Sequence, residues 1–246
     1  MTNEKFTHFE VERVANRFVI QPECHANFFP YLGVALIHIP KTGGTALSVA
    51  LAREDYKRQI NGFKKIADIP DIPFQRHRKA IELREIMSKK YFETFLRVAL
   101  VRNPFEVMLS SYKWFQQIAP KTVSGPAANL VAEVNQMSGF DEFCDSRYGR
   151  EMINFHPGDI WDYLTDTNDK MLVEIIGKLE QNDIMDKIST STGFKFSTKM
   201  PNYNATRHNH YSQYYNDISR TIIEQRFSRE LNYFGYAFEQ NGFSFH

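Results

Sequence analysis

One strand-to-helix junction, residues 33–48, constrains the fold of this chain more than any other stretch. It reads Gly-Val-Ala-Leu-Ile-His-Ile-Pro-Lys-Thr-Gly-Gly-Thr-Ala-Leu-Ser. The mainly apolar run of residues 34–39 does not alternate with polar residues, which is typical of a strand buried on both faces of a parallel sheet. Pro40 has no backbone donor and ends the strand. From Thr45 onward the sequence favours a helix, which we expect to end before Tyr56.

The turn between this strand and this helix has the composition of an anion-binding loop. Gly43 and Gly44 let backbone N–H groups approach an anion, and the positive end of the helix dipole adds to the attraction. Thr42 and Thr45 supply hydroxyl donors, and Lys41 supplies a full positive charge. Since a short Gly-Gly turn can also be a plain connection, the prediction depends on the whole sequence from the buried strand to the helix.

The position of the lysine argues against a loop for nucleoside triphosphates. Such a loop reads G-x-x-x-x-G-K-[ST], with the lysine after the glycines. Here Lys41 precedes Gly43 and Gly44, and no glycine stands five residues before either of them. The residue pair that would bind magnesium is therefore missing, which disfavours a small-molecule kinase.

A second junction has its own candidate anion-binding side chains. A buried strand expected over residues 92–101 leads to Arg102, and a helix is expected from about Phe105, with Pro104 suited to its first turn. Arg102 thus follows the carboxyl end of a strand, where open α/β sheets bind ligands, and a guanidinium can fork onto an anion. Ser110 follows eight residues after Arg102. Taken alone, the same two residues could also be an arginine at a strand end and a serine on a helix surface.

Together the two junctions resemble the donor site of sulfotransferases, in particular the carbohydrate-type, family 2-like group with its soluble bacterial members. Residues 40–46 resemble the 5′-phosphosulfate loop of that family, and Val-Arg-Asn-Pro at 101–104 with Ser110 resembles its 3′-phosphate motif. Residues 161–166 and 177–180 are also similar in type, although Leu179 stands where phenylalanine is common. The resemblance covers residues 33–240.

The resemblance implies a fold and a domain organisation. We expect a P-loop-like, three-layer α/β fold in which helices flank a central parallel sheet, formed by one sulfotransferase domain over residues 1–246. Residues 1–30 are expected to be an N-terminal arm, with a short amphipathic helix or a docking segment over residues 5–20. Residues 116–160, which Gly and Pro interrupt, are expected to cover the acceptor.

The resemblance also implies an activity and a set of roles. The expected reaction moves the sulfuryl group of 3′-phosphoadenosine 5′-phosphosulfate to a hydroxyl of an acceptor, with a carbohydrate as the expected acceptor and no metal ion. Lys41 would act at the leaving phosphate as a cation and proton donor. The remaining donor-binding residues would be Thr42, Gly43, Gly44, Thr45 and Ala46 at the phosphosulfate, Arg102 and Ser110 at the 3′-phosphate, and Arg207 at a nucleotide phosphate, where a plain surface arginine is the alternative.

An acceptor hydroxyl is a poor nucleophile and benefits from a base. His77 stands just ahead of a helix, in a segment that resembles a histidine-bearing segment of the same family. A neutral imidazole suits proton abstraction near pH 7, so His77 is the candidate catalytic base. Glu82 and Glu54 stay open as carboxylate alternatives, and His38 is expected to pack within the sheet.

Composition limits the other classes of function. The 246 residues carry a formal net charge of +1, which argues against a general nucleic-acid binder, while residues 53–90 hold eleven Lys/Arg against six Asp/Glu and would suit an acidic glycan. No run approaches the roughly 18 apolar residues of a transmembrane helix. Cys24 and Cys144 make no disulfide framework, so we expect a cytoplasmic protein. A non-catalytic nucleotide-binding scaffold on the same fold stays open as the main alternative.

Overall fold

The computed structural model describes residues 11–14, 17–20, 27–67, 76–201 and 209–239, with the backbone alone over residues 11–20. Two residues named above, Arg207 and Cys24, lie outside these ranges. The described chain divides into two compact units. The first comprises the described residues of Met1–Ile39, Gly43–Val101 and Tyr163–Tyr203, and the second those of Pro40–Thr42, Arg102–Asp162 and Asn204–His246.

The helices and strands alternate irregularly along the chain. The strands are β1 (Val11–Val14), β2 (Arg17–Ile20), β3 (Phe28–Phe29), β4 (Val34–Ile37), β5 (Leu96–Val101), β6 (Met152–Ile153), β7 (His156–Pro157) and β8 (Ile175–Lys178). The helices are α1 (Gly44–Ile60), α2 (Ala80–Met87), α3 (Lys89–Phe92), α4 (Pro104–Gln117), α5 (Ala119–Thr122), α6 (Ala127–Gln136), α7 (Phe140–Asp145), α8 (Arg147–Glu151), α9 (Ile160–Leu164), α10 (Ile184–Thr192), α11 (Asp217–Arg226) and α12 (Ser228–Phe234).

The first unit is built on a four-stranded sheet in the order β3-β4-β5-β8. The three strands β4, β5 and β8 are parallel, and β3 runs antiparallel to β4 at one edge. All four residues of β4 are buried, as are the last four of β5, so these strands are covered on both faces. Continuous burial explains why their sequences are apolar without alternation.

One face of this sheet and two helices share a continuous hydrophobic core. Leu47, Ala50 and Leu51 of α1 and Ile184 and Ile188 of α10 belong to it. The strands add residues of one face, namely Val34 and Leu36 of β4 and Val98 and Leu100 of β5. Residues spaced three and four apart in a helix share a face, so α1 and α10 each present an apolar stripe to this core.

The second unit is mainly helical and centres on aromatic side chains of α4, α7 and α8. The ring of Phe115 lies 5.4 Å from that of Tyr148 and 6.2 Å from that of Phe143, all three fully buried. Cys144, beside Phe143, is a buried free thiol, and its burial raises its pKa.

A buried cation connects α11 to the chain around β6 and β7. The Arg226 guanidinium of α11 pairs with Asp159 and donates to three backbone carbonyls, those of Gly149, Met152 and Gly158.

The predicted fold class is confirmed, since the structure is a mixed α/β arrangement with a mostly parallel central sheet flanked by helices. The predicted strand before the glycine turn is β4, and the predicted strand before Arg102 is the shorter β5. The apolar stretch within residues 170–177 also predicts a third strand, but the strand there, β8, begins only at Ile175. Residues 167–169 form a turn closed by a bridge between Thr165 and Met171.

Three local predictions are wrong. The helix after the glycine turn does not end before Tyr56 but continues to Ile60, because the Asp55 carboxylate accepts from the backbone N–H groups of Tyr31 and Leu32 and no breaker precedes Gly62. The amphipathic helix proposed within residues 5–20 is an antiparallel hairpin of β1 and β2 in its described part.

The sequence also predicts one final helix over residues 216–233, with Ile218, Ile222 and Phe227 facing inward, and the structure differs from this prediction. The stretch 216–233 contains two helices, α11 and α12, which meet at the buried Phe227. Ile222 and Phe227 face inward as expected, but Ile218 is 70% exposed. Ile218 lies in the first turn of α11, directly after the N-cap residue Asn216, and although it shares a face with the buried Ile222 it lies outside the core.

Candidate functional site

The N-terminus of α1 leaves its first backbone amides available to an anion. Gly43 is the N-cap residue, no side chain caps this helix end, and its first turn holds no acidic residue. Leu47 donates to the Gly43 carbonyl at 3.2 Å, so the N–H groups of Gly44, Thr45 and Ala46 precede the first bond of the helix ladder. With the positive end of the helix dipole, this arrangement suits a phosphate or sulfate.

The two glycines of the turn are required for different reasons. Gly43 has φ +87°, in the left-handed region, and a Cβ there would lie 2.7 Å from Leu179 Cδ1. Gly44 has ordinary helical geometry, but a Cβ there would lie 2.2 Å from Cδ2 of the His38 ring. A side chain at Gly43 is therefore disfavoured by the backbone and by packing, and one at Gly44 by packing alone.

The two predicted histidines lie against each other in the first unit. His38, directly after β4, is 3% exposed, as the prediction of a histidine packed in the sheet requires. The rings of His38 and His77 meet edge to face at 4.6 Å, and His77 Nδ1 lies 2.8 Å from the His38 carbonyl oxygen. Since a carbonyl only accepts, Nδ1 of His77 carries the proton of this bond, and the lone pair of a neutral His77 ring is on Nε2.

The segment that carries His77 is fixed on a second side. The Asn27 side chain donates to the Arg76 carbonyl at 2.7 Å, and the Asn27 carbonyl accepts from the N–H of Leu36 in β4. His77 is thus attached to the sheet through the residue before it and through its own ring.

Lys41 occupies a strained and desolvated position in the second unit. Its backbone has φ +65°, uncommon for a residue with a side chain, and the neighbouring Thr42 is fully buried. Burial, followed by repulsion from the Arg102 charge, lowers the pKa of Lys41 to about 7. Its Nζ lies 5.9 Å from the centre of the Trp114 ring. Lys41 is therefore a cation whose charged form is costly in the absence of an anion.

The N-terminus of α4 is built differently from that of α1. Asn103 caps it, because its side-chain oxygen accepts from the Phe105 N–H at 3.2 Å, and Pro104 occupies the first helical position. The Asn103 amide also donates to the carbonyl of Ala237 at 3.1 Å. Glu106 places a carboxylate in the first turn, so this helix end has its own acceptors and does not need an external anion.

The predicted 3′-phosphate residues lie at this second helix end. Arg102 donates to Glu106 across one turn at 2.8 Å, and both side chains are partly exposed. Ser110 is buried and stands four residues after Glu106, so both belong to one face of α4. The structure thus brings Lys41, Arg102 and Ser110 into one unit, with Arg102 held by a carboxylate.

The two carboxylate alternatives to His77 have structural roles. Glu54 Oε1 accepts from the backbone of Thr198 at 2.7 Å and from Lys57 at 2.8 Å. It also stands ten residues along α1 from Gly44, which is about 15 Å at 1.5 Å per residue. Glu82 accepts from the Lys79 N–H at 2.8 Å and closes the N-terminus of α2. Both carboxylates thus have structural partners among the described residues, at one end of α2 and beside the backbone of Thr198.

Sequence reasoning missed two residues of this site. Glu106 could have been found from its spacing, because a carboxylate four residues after an arginine is a helical ion pair. Trp114 had no local signal, since its contact with Lys41 joins residues far apart in the sequence.

Across the residues that the structure describes, no three His, Cys, Asp or Glu side chains are grouped as metal ligands would be. No helix in the same ranges has the length and apolar character to cross a membrane.

Comparison with known proteins identifies the family. A model of the sulfotransferase family matches residues 25–237, a span that includes both junctions and His77. Searches of curated proteins and of solved structures found no significant match. The predicted resemblance is confirmed at the level of the family, and with it the class of sulfuryl-transferring enzymes. The chain belongs to the sulfotransferase family.

Proposed function

We propose that this enzyme transfers the sulfuryl group of 3′-phosphoadenosine 5′-phosphosulfate to a hydroxyl group of a carbohydrate. The observation that carries the proposal is the loop before α1, where Lys41 with a pKa of about 7 is followed by the amides of an uncapped helix end. A partly buried, desolvated lysine and the amides of an uncapped helix end are complementary to an anion that is itself removed from water.

Each anionic group of the donor has a separate binding element in the proposal. The 5′-phosphosulfate would bind at the loop, through Thr42, the two glycines, Thr45 and Ala46. The 3′-phosphate would bind Arg102 and Ser110 at the start of α4. Because the N-terminus of α4 is capped by Asn103, a phosphate there has to be held by side chains, which is the role proposed for Arg102. Arg207 stays a proposed phosphate ligand from the family resemblance alone.

Lys41 is proposed to act on the leaving group. In the transfer, the bond between sulfur and the bridging oxygen breaks, and its electron pair stays on the 5′-phosphate. A cation at that oxygen stabilises the developing charge, and a lysine with a pKa of about 7 can also give it a proton near neutral pH. These groups supply the stabilisation that a metal would give, so the proposal includes no metal ion.

His77 is proposed to remove the proton of the acceptor hydroxyl. Its Nδ1 donates to the His38 carbonyl, so Nε2 would accept the proton while the acceptor oxygen forms its bond to sulfur. The carbohydrate identity of the acceptor comes from the family resemblance, as does the covering role of residues 116–160. A cytoplasmic location is proposed as well, and the buried free thiol of Cys144 is consistent with a reducing compartment.

The proposal is tested by ligand-dependent thermal stabilisation. Adenosine 3′,5′-bisphosphate is compared with ADP and with ATP plus magnesium, on the wild type and on Arg102→Ala. A ligand at a hundredfold excess over its Kd adds about 2.7 kcal/mol to the free energy of unfolding. We expect stabilisation by the 3′-phosphorylated nucleotide alone, with a smaller effect in Arg102→Ala.

The alternatives give different results. Stabilisation by ATP with magnesium would favour the kinase. A scaffold would bind the bisphosphate but would not turn over the phosphosulfate donor in single-turnover assays against a panel of polysaccharides. Absence of any stabilisation would overturn the proposal.

A further inference from the structure

We propose that the imidazole of His38 is a positioning residue that couples the N-terminus of α1 to the ring of His77. The inference goes beyond the proposed function and rests on it only in so far as His77 is the base and the α1 terminus binds the donor. Its evidence consists of contacts among described residues of the first unit.

The first contact joins His38 to His77. The two rings meet edge to face with an interplanar angle of 68°, and the backbone carbonyl of His38 accepts from His77 Nδ1. The backbone bond fixes which nitrogen of His77 carries the proton, and the ring contact fixes the tilt of the His77 ring. A substitution of His38 keeps the carbonyl and removes only the ring contact.

The second contact joins the same ring to α1. A Cβ on Gly44 would lie 2.2 Å from Cδ2 and 2.5 Å from Nε2 of His38, so this edge of the ring lies directly against the first helical residue. Gly44 has no side chain that could yield, and its backbone begins the row of amides available to an anion. A displacement of the His38 ring therefore changes the position of that helix end.

One buried ring consequently contacts both the proposed base, His77, and the helix end that we propose binds the donor. Because His38 is 3% exposed, the ring has little room to move independently of its neighbours. Binding of an anion at the N-terminus of α1 would then change the orientation of the His77 ring through His38. The base would thereby be oriented when the donor is bound.

The coupling is tested without an acceptor, by NMR of the histidine ring resonances, with His77 assigned from His77→Gln. In the ligand-free protein, Gly44→Ala forces a methyl group against the His38 ring, and we expect the His77 resonances to shift. Gly62→Ala is the matched control, since nothing lies within 4 Å of a Cβ there, and it should leave His77 unchanged. Unshifted His77 resonances in Gly44→Ala would overturn the inference.

A second arm adds adenosine 3′,5′-bisphosphate to the wild type and to His38→Ala. In His38→Ala we expect the ligand-induced shift of His77 to fall at least about threefold, because the ring contact that carries the coupling is lost. We expect the Kd of the nucleotide to rise about tenfold, because the N-terminus of α1 loses the same ring. His38→Gln, whose amide reaches the place of Nε2, should recover part of both effects. An unchanged shift in a folded His38→Ala protein would contradict the coupling.

The two arms separate the inference from the proposed function. If the wild type does not bind the bisphosphate, the proposed donor is wrong, while the ligand-free comparison of Gly44→Ala with Gly62→Ala still decides the role of His38. If the wild type binds it and neither variant moves His77, the donor site stands and the coupling role is wrong.

Discussion

The two strand-to-helix junctions of this protein differ in how the N-terminus of the helix is capped. At β4–α1 the helix end has a glycine cap, no capping side chain and no acidic residue in its first turn. At β5–α4 the helix end has an asparagine cap, a proline at the first position and a glutamate in the first turn. Both follow a buried strand of one sheet, but the first helix end has no side-chain cap, whereas the second has a side chain that accepts from one of its amides.

The difference teaches where an anion can be held by backbone and where it needs side chains. An open helix end offers amides and a dipole, so Gly43 and Gly44 matter more there than any side-chain donor. A capped end with its own carboxylate repels a second anion from its amides. In our proposal the charged groups of that junction, Arg102 above all, bind the anion.

The largest expected effect comes from removing the one cation of the open junction. We expect Lys41→Met to lower single-turnover transfer from the phosphosulfate donor by about 10²–10³, the loss typical of one group that stabilises developing charge. Lys187→Met is the control, because Lys187 is an exposed partner of Asp183. A Lys41→Met rate within about threefold of wild type would remove Lys41 from the leaving-group role.

Arg102→Ala tests the capped junction. We expect about a 10- to 100-fold loss of affinity for adenosine 3′,5′-bisphosphate, the worth of a charge-assisted pair, and little change for adenosine 5′-phosphate. Arg220→Ala is matched to it, since Arg220 also pairs with a glutamate four residues on, at 2.7 Å from Glu224. Calorimetry measures all four affinities, and equal losses for the two nucleotides would contradict a 3′-phosphate role.

Gly43→Ala tests the backbone of the open junction. Both Gly43 and Gly62 have positive φ, +87° and +76°, but only a Cβ at Gly43 meets a neighbour, Leu179. Each substitution should cost about 1–2 kcal/mol of stability from the left-handed backbone. We expect Gly43→Ala alone to weaken bisphosphate binding, by about tenfold. Equal binding by both variants would show that the turn does not hold the anion.

The pH dependence of anion binding tests whether Lys41 acts in its charged form. With a pKa of about 7, the charged fraction of Lys41 falls from about one half at pH 7 to about one eleventh at pH 8. An anion that needs the charged form should therefore bind about fivefold more weakly at pH 8 than at pH 7, and Lys41→Met should lose this step. Titrations at both pH values in wild type and variant measure the difference.

The same pKa has a consequence for stability with a definite sign. The native pKa of about 7 lies below the ordinary lysine pKa of 10.5, so the unfolded chain binds more protons between these two values. The free energy of unfolding of the wild type, relative to Lys41→Met, should therefore rise with pH over that range. Chemical denaturation at pH 7 and pH 9 tests the direction.

The smallest expected effect is on the cap of the second junction. Asn103→Ala removes the bond to the Phe105 N–H and should cost about 1 kcal/mol of stability, as N-cap losses typically do. It should leave bisphosphate affinity nearly unchanged if the side chains rather than the helix amides hold the 3′-phosphate. A gain of affinity in Asn103→Ala would mean that the amides of α4 compete for the ligand.

The parts of the fold that the sequence predicted correctly are set by local chemistry. An apolar run ended by a proline, a pair of glycines and a helix-forming stretch define β4, the turn and the start of α1 within one window of sequence. Strand ends were less well placed, since Leu172 and Val173 are apolar and buried and yet precede β8, which begins only at Ile175. The exposed Ile218 shows that an apolar residue in the first turn of a helix can lie outside the core although Ile222, four residues on, is buried.

The parts of the site that were missed depend on contacts between distant residues. His38 was expected to be a packed residue of the sheet, which it is, but its contact with His77 joins residues 39 apart in sequence. Glu54 seemed available as a base until the structure placed it against the backbone of Thr198, 144 residues away. Neither partner carries a signal in its own neighbourhood, so only a three-dimensional structure reveals these roles.

The buried Arg226 has a consequence for the order in which this protein can fold. Its bonds join α11 to acceptors 67 to 77 residues earlier in the chain. The sheet is completed equally late, because β8 follows β5 only after the long helical segment between them. Each unit therefore depends on contacts with residues that are synthesised late. We expect folding to finish only after synthesis, at the slow rate that is typical of proteins whose contacts join residues far apart in sequence.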